Sequence, residues 1–203
     1  MSDWDENSPQ LQANIERVLE SAGKHAARRE ALTLETIKLW HKDLIRGLKA
    51  PDPKYIGRFR GERGLEHVEV RIGKAFGVRS DLVGAEVKLF QEKLHAQMDF
   101  LDTLIDPTQG PDSVGSLSAV LDLCAWAHAE WVRIHPFANG NGRTARILAD
   151  CLALRYGLPP FVRVRPRPGY GYGEAGAAAM KGNWRPTVAV FRHMLKEFRG
   201  PRP

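Results

Sequence analysis

The chain has 203 residues, with 30 Lys+Arg against 24 Asp+Glu, 43% hydrophobic residues and two cysteines. That length suits one domain and is short for two separate cores, and the composition excludes disorder, a collagen repeat and a disulfide scaffold. The net charge of +6 is unevenly spread, because residues 131–203 carry 13 basic and 3 acidic side chains whereas residues 51–130 carry 9 and 13; an anionic partner is expected for the C-terminal third.

The first eight residues, MSDWDENS, are acidic and lack an apolar signal region, and no run reaches the length of a membrane span. A soluble, cytoplasmic protein without membrane contact is expected, with Cys124 and Cys151 as reduced, small hydrophobes inside helical patterns. Residues 8–23 open with Ser-Pro, place Leu11, Ile15, Val18 and Leu19 at helical spacing, and meet Gly23 as a stop. A second helix is predicted over 31–48, before the breaker run APDP. Between 55 and 73 the period changes: Val68, Val70 and Ile72 alternate with polar residues, which predicts one strand of a hairpin. Helical patterns return over 81–104, 117–134, 142–156, 174–182 and 187–198. The expected fold is mainly α with one small hairpin.

The densest chemistry lies between two of these helices, in His135-Pro136-Phe137-Ala138-Asn139-Gly140-Asn141-Gly142-Arg143-Thr144-Ala145-Arg146. Pro136 stops the incoming helix, and Gly140 and Gly142 permit a tight turn whose amides converge where the next helix begins, an anion hole. Arg143 and Arg146, three apart, share one helical face and suit a polyphosphate. His135, the side chain there that titrates near neutrality, suits a general base. A His-Pro-Phe helix end or a Gly-Asn-Gly turn alone would be ordinary structure; the loop also lacks the Lys-Ser/Thr of a Walker P-loop.

This run resembles the central motif of the Fic (Fido) family at His135, Pro136, Phe137, Gly140, Asn141, Gly142, Arg143 and Arg146. The Gly57-Arg58-Phe59-Arg60 stretch and the spacing of Tyr172, Ala175, Gly182 and Pro186 are also similar to the family, over roughly residues 30–198. The resemblance implies a helical core with a β-hairpin flap beside the active loop. The domain is expected over 30–198, with a helical extension over 1–29 and a tail over 199–203. It further implies a protein adenylyltransferase that moves AMP from ATP to a Ser, Thr or Tyr hydroxyl. His135 would be the base and Asn139, Gly140, Asn141, Gly142, Arg143 and Arg146 would hold the nucleotide. Tyr172 would line the base pocket, Phe137 would anchor the loop, and the target would dock on the flap at about residues 65–72.

Position 139 is Asn where the family places an acidic ligand for Mg²⁺. A neutral amide holds this hard cation less well, so the resemblance implies a weak Mg²⁺ site at Asn139, with transfer rising in Mg²⁺ and in Asn139→Asp. The alternatives are a toxin-like enzyme using another nucleotide or another phosphate transfer, or an impaired domain. Ser2 to Asn7 fits the spacing of the family's inhibitory helix, with Glu6 as its acid, but so short a pattern arises readily by chance. A separate inhibitory antitoxin, or weak basal activity, is the expectation instead. A nucleic-acid module is the competing class, from Arg163, Arg165 and Arg167 followed by Tyr170 and Tyr172, but no recognised nucleic-acid-binding motif accompanies them and nucleic acid is not the expected partner. His128 reads as a packed core histidine rather than a metal ligand, and His25, His41, His67, His95 and His193 read as solvated.

Overall fold

The computed structural model describes residues 8–200. Seven helices occur among these residues: α1 (Pro9–Ala27), α2 (Leu34–Leu44), α3 (Ser80–Leu104), α4 (Val114–Ile134), α5 (Asn141–Arg155), α6 (Tyr172–Ala179) and α7 (Arg185–Arg199). A two-stranded antiparallel sheet, β1 (Arg71–Ile72) and β2 (Ala75–Phe76), lies between α2 and α3. The mainly α expectation with a short hairpin therefore holds.

α5 is the axis of the core. Its residues from Thr144 to Ala153 are all buried, as expected for a helix covered on every side; α4, α1 and α2 pack against it, and α3, α6 and α7 pack against α4. Ser8 and Thr33 cap α1 and α2 by accepting the amides of Leu11 and Thr36, each at 3.1 Å. Ser113 and Ser116 form a reciprocal capping box at the start of α4.

Three of the departures from the sequence reading have a visible cause. α1 runs through Gly23 to Ala27, since Gly23 lies against α5 near Leu154 and the helix stays packed there. α1 also shares the core through Leu11, Ile15, Val18, Ala22 and Ala26. α2 stops at Leu44, because the buried Asn14 amide donates to the carbonyls of Leu44 and Arg46 at 3.1 and 2.7 Å and so ends the ladder. The hairpin sits further along the chain. Leu65 is buried, Val68 donates its amide to the Leu65 carbonyl and gives its own carbonyl to Arg60, and pairing begins where Val70 accepts the Gly77 amide. Of the expected docking segment 65–72, only Arg71 and Ile72 form strand, because the preceding residues wrap around the Arg60 guanidinium instead.

Close backbone packing makes that wrap possible. Gly61 has φ +85°, and a Cβ there would lie 2.0 Å from the Ser80 carbonyl oxygen. Gly61→Ala is expected to cost about 3 kcal/mol or more, combining left-handed strain with a clash against backbone that cannot rotate away. Urea unfolding of the two proteins measures it.

Candidate active site

α4 ends in a left-handed residue, His135 (φ 54°, ψ 56°), which turns the chain into the loop that leads to α5. Asn141 holds this loop closed: its Oδ1 accepts the Phe137 amide at 2.9 Å and its Nδ2 donates to the Phe137 carbonyl at 2.8 Å. Phe137 is fully buried, stacked on His41 at 3.8 Å between centroids and packed on Phe59 at 4.9 Å. Gly140 is left-handed (φ 76°) and begins α5 with no side-chain cap. The first amides of α5 therefore have no intrahelical partner and no competing side chain, the arrangement that binds anions.

The His135 imidazole is oriented by its Nδ1, 2.9 Å from the Val132 carbonyl. A carbonyl only accepts, so Nδ1 carries the proton and Nε2 keeps its lone pair in the neutral ring. Burial lowers its pKa to about 4, with the Arg60 guanidinium acting in the same direction against the Val132 bond. Near neutral pH the ring is thus an unprotonated acceptor.

The residues expected to act on the nucleotide come to one place, while Phe137 anchors the loop from beneath. His135, Asn139, Gly140, Asn141, Gly142, Arg143, Arg146 and Tyr172 all line a single cavity of about 790 Å³, with flap residues Ile72 to Ala75 on its rim. Tyr172 is buried between two partners. Its hydroxyl accepts from Arg146 Nη1 at 2.9 Å and lies 2.7 Å from His128 Nε2. His128 is a core histidine, as expected, and burial lowers its pKa to about 3. Among the described residues no group of three or more His, Cys, Asp or Glu is placed to hold a metal ion.

Two positioning residues were not assigned a role from the sequence. His41 was read as solvated but is fully buried on α2; its Nδ1 accepts the Gly57 amide at 2.9 Å, so Nε2 donates to the Asn139 carbonyl at 3.0 Å. Arg60, also buried, donates to the carbonyls of His135 (2.8 Å), Ile134 (3.1 Å), Val78 (2.7 Å) and Val68 (3.1 Å), tying the loop to the base of the flap. Among the other histidines read as solvated, His25 and His193 are half-buried, and His95 is half-buried with Nε2 2.8 Å from the Leu32 carbonyl.

The arginine loop does not form a stacking platform for bases. Tyr172 is buried, Tyr170 leans on the His193 ring at 4.1 Å, and Arg167 lies over the Tyr172 ring at the cavity wall. Successive open aromatic faces, which single-stranded nucleic acid requires, are not offered by this pair.

The buried His41 and His128 and the half-buried His135 link stability to pH. Folded pKa values of about 3 for His41 and His128 and about 4 for His135 lie below the ordinary 6.5. Below about pH 6.5 the unfolded chain takes up protons that the folded state refuses, so stability is lost as pH falls toward those values. Unfolding by urea at pH 5 is expected to show at least about 1 kcal/mol less stability than at pH 7.

The residues present do not fit a protein-held Mg²⁺. Asn139 supplies a neutral amide whose Oδ1 accepts the Gly140 amide at 2.5 Å, and no Asp or Glu lines the cavity. A divalent ion ordinarily takes at least one carboxylate from the protein.

Comparison with known proteins places these observations. Residues 31–153 match the family model described as the Fic/DOC family. "Protein adenylyltransferase Fic" of Aedes aegypti is 33% identical over 100 residues, which is 49% of this chain and 19% of that protein; the chain spans about a fifth of that relative's length. The BepC protein of Bartonella tribocorum, a VirB-translocated effector solved with bound AMPPNP, superposes with a TM-score of 0.61 at 17% identity over 91% of this chain and 85% of that one. Fic-1 of C. elegans gives 0.61 at 21% identity over 95% of this chain and 52% of that one. Among the described residues no helix is long and apolar enough to cross a membrane.

Proposed function

The chain belongs to the Fic/DOC family, and from that premise we propose that it is a protein adenylyltransferase, transferring AMP from ATP to a Ser, Thr or Tyr hydroxyl of a target protein. The observation that carries this reading is the pairing of a lone-pair nitrogen, His135 Nε2, with an uncapped helix N-terminus and two arginines in one cavity. The relative named an adenylyltransferase and the similar fold solved with an ATP analogue both support it.

In the proposed step the target oxygen attacks the α-phosphorus and gives its proton to His135 Nε2. The new O–P bond forms as the bond from the α-phosphorus to the bridging oxygen breaks, and diphosphate leaves with that electron pair. The free amides at the start of α5, at Asn141 and Gly142, donate to phosphate oxygens, and the guanidiniums of Arg143 and Arg146 neutralise their charge. Tyr172 holds Arg146 in place. The target strand adds to the open edge of the flap at Arg71–Ile72, where backbone hydrogen bonds fix it beside His135.

Incubating the protein with ATP and a lysate, followed by mass spectrometry of the lysate proteins, tests the reading. AMP adducts on hydroxyl side chains support it. Phosphate adducts that appear only when the protein is added would instead favour the second reading, another phosphate transfer, which the neutral Asn139 raises.

A further inference from the structure

The disagreement between this cavity and a metal site has a positive counterpart. Five cations line the cavity, and they come from separate parts of the fold: Lys74 from the flap, Arg143 and Arg146 from α5, Arg167 from the loop before α6, and Lys181 just beyond α6. They meet the positive end of the α5 dipole, whose first turn carries no acidic residue. No carboxylate lines the cavity. Glu130 pairs with Arg133, Glu69 accepts from Arg60 and Ser80, and Asp150, which feels the Arg146 charge, accepts the Val162 amide while burial outweighs both and raises its pKa.

We propose that this site binds its nucleoside triphosphate without a divalent cation, the lysines and arginines of the cavity taking over the charge neutralisation that Mg²⁺ would supply. The inference rests on the transferase reading of the same cavity and deepens it. A Mg²⁺ ion entering here meets five like charges and a neutral amide, so bringing it in with the triphosphate gains little over the cations already fixed in place. Arginine and lysine are adequate substitutes for polyphosphate charge, because the guanidinium fork pairs phosphate oxygens two at a time and the ammonium acts as a mobile point charge. Their placement on several segments surrounds the triphosphate rather than gripping it from one side. Asn139 fits this scheme as a neutral residue: a carboxylate in its place would repel a phosphate that carries no metal.

Isothermal titration of the full chain with ATP, once in excess EDTA and once in millimolar Mg²⁺, tests the proposal by binding alone. The expected result is a Kd that changes by less than about threefold between the two buffers. Asn139→Asp should weaken binding in EDTA by about tenfold and recover most of it in Mg²⁺, since the new carboxylate repels the bare triphosphate and provides the missing ligand. A wild-type Kd tighter in Mg²⁺ by more than about threefold overturns this inference and leaves the transferase reading standing. No binding in either buffer overturns both.

Discussion

Replacing His135 by alanine is expected to slow AMP transfer roughly 10³-fold while nucleotide affinity stays close to wild type. The imidazole contributes to the step by receiving a proton, and its neutral state with the lone pair on Nε2 is set by the Nδ1 bond to Val132 and by burial. The phosphate-facing groups, on α5, are untouched by the substitution. His135 also occupies a left-handed conformation that alanine tolerates less well. His135→Asn separates the two effects, because Asn accepts that backbone geometry yet cannot act as a base near neutrality. Equal loss of transfer in both variants, with nucleotide Kd preserved by titration, identifies proton acceptance as the missing function. Retention of most transfer in either variant would remove His135 from the chemical step.

Arg60→Met is expected to destabilise the fold by about 3–5 kcal/mol and to take transfer activity with it, read by urea unfolding. The guanidinium is buried and reaches four backbone carbonyls and Glu69, two of the carbonyls at the C-terminal end of α4, where a cation also suits the helix dipole. Methionine fills much of the space but leaves those carbonyls without donors. Arg60→Lys keeps the charge and loses the fork, so an intermediate loss is expected. Gly77 shows how tightly this junction is built: a Cβ there would lie 2.7 Å from the His135 Cβ and 2.9 Å from Arg60 Nη2.

The parts of the structure that repeat over short distances were legible in the sequence. The apolar rows of α3, α4, α5 and α7 mark those helices to within a few residues, since each helix must hide one face or all of itself. The motif loop was legible for another reason: helix stop, turn glycines and helix start are contiguous, so its geometry is local. Arg60 and His41 show the limit. They act on carbonyls 75 and 98 residues away, and a lone arginine or histidine beside no repeating pattern carries no local trace of such a partner. Gly57 to Arg60 stand out only by the family resemblance, which assigns Arg60 no role. The hairpin moved for the same reason. Alternation at Val68, Val70 and Ile72 is real, but Arg60 claims the Val68 carbonyl and leaves a two-residue strand. Gly23 failed as a stop because packing on α5 outweighs a helix penalty of about 1 kcal/mol. The Glu6 reading lies outside the described residues.

In the proposed step the α-phosphorus, not the γ-phosphorus, receives the target hydroxyl. Supplying the protein and a lysate with ATP labelled at the α-phosphate in one reaction and at the γ-phosphate in another tests it most directly. The expected result is protein-bound label above the lysate's own background from the α-labelled nucleotide, absent with His135→Asn, and none above that background from the γ-labelled one. Label carried over from the γ-phosphate alone would contradict it and make the enzyme a phosphotransferase.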